Sequence, residues 1–150
     1  MTVVFAALTV ALMEKTVPKV KQINHVAVVV EDMEKALSFW RDALGMELHE
    51  LRDVPTEKSQ VAFLQLFGSE VELVKPTTDD SGIAKYLAKR GPGMHHICLE
   101  VDEIEEMMMQ LKSKGVRLIN EEPRIATDGK KYAFIHPEST SGVLVELYQI

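Results

Sequence analysis

The sequence predicts an α+β fold in which two tandem β-α-β-β-β modules build one curved mixed sheet around a cleft. Three features predict it. A strand-like run beginning at His25 and ending in Glu31-Asp32-Met33 recurs 71 positions later, from His96 to Asp102-Glu103-Ile104. Each copy leads into apolar residues at helical spacing that a glycine closes. The closing strands also correspond, Val71-Glu72-Leu73-Val74 with Val145-Glu146-Leu147-Tyr148, at an offset of 74. A fixed offset marks an internal repeat, and one such unit leaves a sheet face bare that a second copy covers.

Taken in order, the first helix has Asp32 as N-cap, a buried face of Met33, Ala36, Leu37, Trp40 and Leu44, and Gly45 as its stop. The second has Asp102 as N-cap, Glu105 at the capping-box position, Ile104, Met107, Met108 and Leu111 as its apolar face, and Gly115 as its stop. Methionines at that spacing are core packing. Strands follow over residues 61–67 and 70–75 in the first half and 132–136 and 142–149 in the second. The modules therefore run over about 23–75 and 93–150, joined by a connector, 76–92, with a short helix from Ser81 to Arg90.

At 150 residues and 46% hydrophobic composition the chain makes one domain or two fused half-domains. Its net charge of −6 argues against nucleic acid as a partner. A single cysteine, Cys98, leaves no internal disulfide and points to a reduced, cytoplasmic setting. Residues 1–22 read as an N-terminal extension. Its apolar stretch, residues 3–13, lacks the charge and cleavage pattern of a signal peptide and is too short to span a bilayer, so no membrane role is expected. Met13 resembles an ordinary start, and residues 1–12 are expected to carry no chemistry.

In each half a histidine opens the first strand and a glutamate sits in the last: His25 with Glu72, 47 residues apart, and His96 with Glu146, 50 apart. Alternation puts Val71 and Leu73 on one strand face and Glu72 on the other; Val145, Leu147 and Glu146 repeat the arrangement. If the halves pack face to face, the four converge on a metal cleft, and two ring nitrogens sharing one ion stand about 3 to 4 Å apart. Imidazole and carboxylate suit Zn²⁺, Ni²⁺, Co²⁺, Mn²⁺ or Fe²⁺, and a set without thiolates leaves coordination positions open. Other polar residues receive plainer readings. His95 should face away from His96, His49 is surface, His136 is a loop residue before Pro137, and Gln65 is an alternative oxygen donor.

The segments Ile23-Asn-His25-Val-Ala-Val, Gly93-Met-His-His96-Ile, Glu121-Glu-Pro-Arg124 and His136 to Leu147 resemble the methylmalonyl-CoA epimerases of the vicinal oxygen chelate superfamily. The resemblance implies one divalent metal (Co, Mn, Ni or Zn) held by His25, Glu72, His96 and Glu146, an acyl-CoA substrate, a homodimer, and epimerisation of methylmalonyl-CoA at C2 through a metal-chelated enolate. A C2 hydrogen between a thioester and a carboxylate is weakly acidic, so a cation stabilising the enolate and a base on each face fit the residues, with Glu72 and Glu146 as the bases. Some members carry Gln where this chain has Glu72, and a Glu base where it has Val61. The rival readings are a glyoxalase I type lactoylglutathione lyase, with the same residue types, and a superfamily member that binds ligands without chemistry. Lys85, Lys89, Arg90, Arg124, Lys130 and Lys131 are candidate partners for CoA phosphates, and none is singled out.

Overall fold

The repeat in the sequence becomes a repeat in the sheet. The computed structural model describes residues 17–150, so residues 1–12, expected to carry no chemistry, lie outside the described residues. The elements are β1 (Val20–Val29), α1 (Met33–Leu37), β2 (Glu47–Val54), β3 (Ser59–Leu66), β4 (Ser69–Pro76), α2 (Gly82–Arg90), β5 (Gly93–Val101), α3 (Ile104–Ser113), β6 (Arg124–Ile125), β7 (Lys131–Ile135) and β8 (Leu144–Gln149). They form one eight-stranded mixed sheet in the order β2-β3-β4-β1-β5-β8-β7-β6, which reads as two equivalent four-strand halves joined where β1 runs antiparallel to β5. Within each half the first strand pairs parallel with the last, β1 with β4 and β5 with β8.

Each half has its own core on the helical face of the sheet. Met33 and Leu37 pack with Ala62, Leu64, Val71 and Leu73 in the first, with Ala36 and Trp40 partly buried beside them. Ile104, Met107 and Met108 pack with Val101, Ala133, Ile135 and Leu147 in the second. A fully buried leucine such as Leu37 contributes about 1.5–3 kcal/mol by burial, and truncation to alanine costs about 2–5 kcal/mol. Gly45 and Gly115 adopt φ of 81° and 77°, the left-handed conformation that ends a helix.

Several local expectations are corrected. Asp32 caps α1, accepting from the Lys35 N–H at 3.0 Å, but α1 widens into π-helical turns over Ser38–Ala43, which leaves Leu44 55% exposed instead of on the buried face. Asp102 does not cap α3: its Oδ1 accepts from the N–H groups of Lys19 (2.8 Å) and Glu103 (2.9 Å) and ties the start of β1 to the end of β5. Glu105 pairs with Lys131 instead of closing a capping box. The N–H of Ile104 finds its acceptor in Gln149 Oε1 of β8, at 2.7 Å, a tertiary partner invisible to local pattern. The second strand of the second half, the counterpart of β2, shrinks to the two residues of β6 plus a bridge from Leu118 to Ile135. Among the described residues no helix is long and apolar enough to cross a membrane.

Candidate metal centre

The four inner strands of the sheet, β4, β1, β5 and β8, carry one ligand-type residue each: Glu72, His25, His96 and Glu146. Register aligns them. Ala27 stands opposite Glu72 on one side and His96 on the other, and Cys98 stands between His25 and Glu146. His25 and His96 are thus diagonal neighbours on one face across the central antiparallel pair. Their Nε2 atoms approach to 3.1 Å, inside the separation expected for a shared ion.

Glu146 Oε2 lies 2.9 Å from His96 Nε2 and 3.3 Å from His25 Nε2. These three donors all fall within 4.8 Å of one another. Glu72 is placed differently: its Oε1 meets the opposite ring atom, His25 Nδ1, at 3.4 Å and stays outside the triad. Three of the four expected donors therefore converge and the fourth flanks them.

What surrounds the rings orients them. His25 Nδ1 is 2.9 Å from Asn24 Oδ1, so an Nδ1–H donated to that amide oxygen leaves the Nε2 lone pair aimed at the cluster. His96 Nδ1 is 2.9 Å from His95 Nδ1. Burial, followed by the charge of His96, lowers the His95 pKa to about 4, so His95 is a neutral acceptor near pH 7. Two outward-facing Nδ1–H groups and two converging Nε2 lone pairs beside a carboxylate make a donor set that fits a divalent cation.

His95 is a correction. Strict alternation would send it to the opposite face, but β5 is irregular where Ala27 pairs with His96 and Val28 with Met94, and this bulge brings the two histidine rings together. Its ring also packs edge-on against Tyr86, 4.6 Å between centroids. Of the remaining candidates, His49 is exposed on β2. His136 Nδ1 accepts from the Glu138 N–H in the turn Pro137–Ser139. Gln65 is exposed near the end of β3. Val61 is core, packed with Ala27 and Val74.

Electrostatics separate the carboxyls. Burial raises the Glu146 pKa, yet hydrogen bonds to His25 and His96 and their charges outweigh it and hold it at about 2. Glu72 goes the other way, to about 7, chiefly by burial, against the pull of His25 and with the repulsion of Glu146 and Glu70. His25 is raised overall: burial opposes its charge, but the Glu146 hydrogen bond and the charges of Glu72 and Glu146 prevail.

One carboxyl escaped the sequence reading. Glu57, in the turn between β2 and β3, is solvent-accessible, yet its pKa is raised by burial of its surroundings and by Glu146, with His96, Arg52 and His25 opposing. It therefore stands within electrostatic reach of the cluster. The turn is fixed by Lys58, whose carbonyl accepts from the Thr77 N–H at 2.9 Å and whose ammonium pairs with Asp80. The repeat gave no signal for Glu57, because neither half matches the other at this turn.

A duplicated module with a two-histidine, one-carboxylate cleft defines a chelating class of protein, and comparison agrees. The profile of the Glyoxalase/Bleomycin resistance protein/Dioxygenase superfamily matches residues 24–134. The mitochondrial methylmalonyl-CoA epimerase of Mus musculus is 44% identical over 132 residues, 87% of this chain and 74% of that protein. The ethylmalonyl-CoA/methylmalonyl-CoA epimerase of Cereibacter sphaeroides is 39% identical, covering 86% and 98%. Among solved structures, methylmalonyl-CoA epimerase from Mycobacterium tuberculosis superposes with a TM-score of 0.79 at 34% identity, covering 87% and 88%. The chain belongs to this superfamily and, within it, to the family of methylmalonyl-CoA epimerases.

Proposed function

We propose that this chain is an enzyme that epimerises methylmalonyl-CoA at C2, with one divalent cation held by His25, His96 and Glu146 and with Glu72, expected as a fourth donor, flanking them on the outer nitrogen of His25. The observation that carries the reading is the convergence of the two Nε2 atoms and Glu146 Oε2, with both Nδ1 atoms partnered outward. A cation there supplies Lewis-acid stabilisation of the negative charge that develops on the malonyl oxygens. Co, Mn, Ni and Zn all suit the donor set.

The residues of the chain do the rest. Epimerisation requires that a proton leave C2 on one face and return on the other, so two groups must flank the carbon. Glu146, from the second half, and Glu57, on the turn of the first, are the pair that best serves, because they come from opposite halves of the sheet and sense each other's charge. Glu72, expected from the sequence as the partner base of Glu146, serves less well, since it lies against the far ring nitrogen of His25. The inner walls, Phe63, Phe134 and Val61 on the strands flanking the cluster, limit water around a reacting carbanion.

The test is to incubate the purified, Co²⁺-loaded protein with one epimer in D₂O and follow deuterium entry at C2 and the epimer ratio. Exchange with loss of stereochemistry, abolished by chelator and restored by metal, is the expected result. No exchange under Co²⁺ or Mn²⁺ would overturn the reading, and turnover of methylglyoxal with glutathione in its place would favour the lyase. A homodimer and cytoplasmic residence belong to the same proposal. A single buried free thiol fits a reducing compartment, although the mouse relative is named mitochondrial. Light scattering that returns a monomer mass at micromolar concentration would remove the dimer.

A further inference from the structure

We infer that Glu100 is a positioning residue for the metal ligand His25, acting through the side-chain amide of Asn24 between them, an inference that deepens the functional reading above and rests on it. Glu100 stands near the end of β5, on the face of the sheet that carries His96 and Cys98, because residues two and four apart on a strand share a face. Solvent reaches only 3% of it. No step of the proposed reaction uses this carboxyl.

Register explains how Asn24 comes to lie between the two. In β1, Gln22 pairs with Glu100, Ile23 with Leu99 and His25 with Cys98, so Asn24 is an extra residue, a bulge. Strict alternation would turn its side chain away from His25, but the bulge brings Asn24 Oδ1 to 2.9 Å from His25 Nδ1. The other half does the same, since the bulged His95 meets Nδ1 of His96 at 2.9 Å. Each metal histidine is thus preceded by a bulge residue that takes its outer nitrogen.

An amide has two ends. With its oxygen toward His25 it accepts the Nδ1–H and leaves the Nε2 lone pair free for a cation. With its nitrogen there it donates, and the hydrogen of the neutral ring moves to Nε2 and blocks ligation. Glu100 selects the first arrangement, because a carboxylate only accepts and so draws the amide nitrogen to its own side. Its neighbours keep it ionised: Lys21 Nζ donates to Oε1 at 2.7 Å and Gln22 Nε2 to Oε2 at 2.9 Å. Those two hydrogen bonds, with the charge of Lys21 and a hydrogen bond from Asn24, outweigh burial and hold the carboxyl below the usual carboxylate range. The line from Lys21 through Glu100 and Asn24 to His25 therefore has its donors and acceptors in a consistent order from the rim of the sheet to the cluster.

The experiment measures Co²⁺ affinity by competition with a chromophoric chelator and, in the metal-free protein, the tautomer of the neutral His25 ring from its ¹⁵N chemical shifts. The wild-type ring should carry its hydrogen on Nδ1. Glu100→Ala should weaken Co²⁺ binding about tenfold and shift the ring toward the Nε2–H form. Glu100→Gln, which keeps an acceptor oxygen, should retain the wild-type values. Asn24→Asp should rescue Glu100→Ala, because a carboxylate presents oxygen whichever way it turns. A role confined to packing would lower the melting temperature of Glu100→Ala with affinity and tautomer unchanged; that result overturns the inference, and so does a failure of Asn24→Asp to rescue. Glu100→Met, an apolar side chain of similar shape, serves if Glu100→Ala does not fold, with the same loss expected and unchanged values again overturning the inference. A wild-type protein that binds no Co²⁺ removes the metal reading and this inference with it, whereas Co²⁺ binding indifferent to Glu100 removes this inference alone.

Discussion

The two halves of the molecule began from the same pattern, and they use it differently. In the second half His96 and Glu146 close to 2.9 Å, and the glutamate is held ionised at about pKa 2. In the first half Glu72 approaches the wrong side of His25 at 3.4 Å, and burial lifts its pKa to about 7. The hairpin turns diverge as well. Glu57 in the first feels the charges of the cluster, whereas Asp128 in the second is paired with Lys130 at 3.1 Å and held below the usual carboxylate range, its burial outweighed by that partner. A duplication supplies equivalent positions, and their small differences in reach and burial give the carboxyls at those positions different charges.

The largest expected effect falls on the second half. Glu146→Gln keeps an oxygen donor but removes the charge that two imidazoles share, so deuterium exchange at C2 should fall about a thousandfold while part of the metal stays bound, as read by metal analysis after desalting. Retention of exchange would show that Glu146 is neither a needed anionic donor nor one of the two bases. Next comes Glu57→Gln, for which a loss of about a hundredfold is expected, unequal between the two epimers because each presents its proton to a different face. Equal loss from both epimers, or none, would return the second base to Glu72.

The comparison sharpens further with Glu72→Gln in chelator-treated protein. The folded carboxyl titrates near 7 against an ordinary 4.5, so below about pH 4.5 it is protonated in both states and costs nothing. As pH rises through 7 the folded state must ionise it in place, and stability is lost. Replacing it should therefore raise the melting temperature of the metal-free protein at pH 8, by up to about 3 kcal/mol of stability, with little change at pH 4.5. A pH-independent difference would break the contrast between the two glutamates. The smallest effect tests the helices: Asp32→Ala removes a local cap in the first half and Gln149→Ala a tertiary one in the second, each costing about 1 kcal/mol in urea unfolding.

Much of this was legible in the chain. The repeat offsets gave two β-α-β-β-β units, the glycines closed both helices, and period-two alternation put Glu72 and Glu146 on the face away from Val71 and Leu147. Those are local consequences of covalent geometry, since side-chain direction along a strand or helix follows from residue number alone. Alternation failed at His95, where a bulge inserts a residue that no local pattern announces.

The sequence by itself determined which residue types recur and which face of each element they occupy. Only the tertiary structure decided which nitrogen of His25 each glutamate meets, that Gln149 caps α3 from another strand, that Glu57 feels the charges of the cluster from an unrepeated turn, and that Tyr86 and Arg90 wall a cavity beside His96. The reason is physical: strand register and chain packing bring together groups distant in sequence. The burial they create sets the charge of each carboxyl, and neither quantity is a property of any local segment.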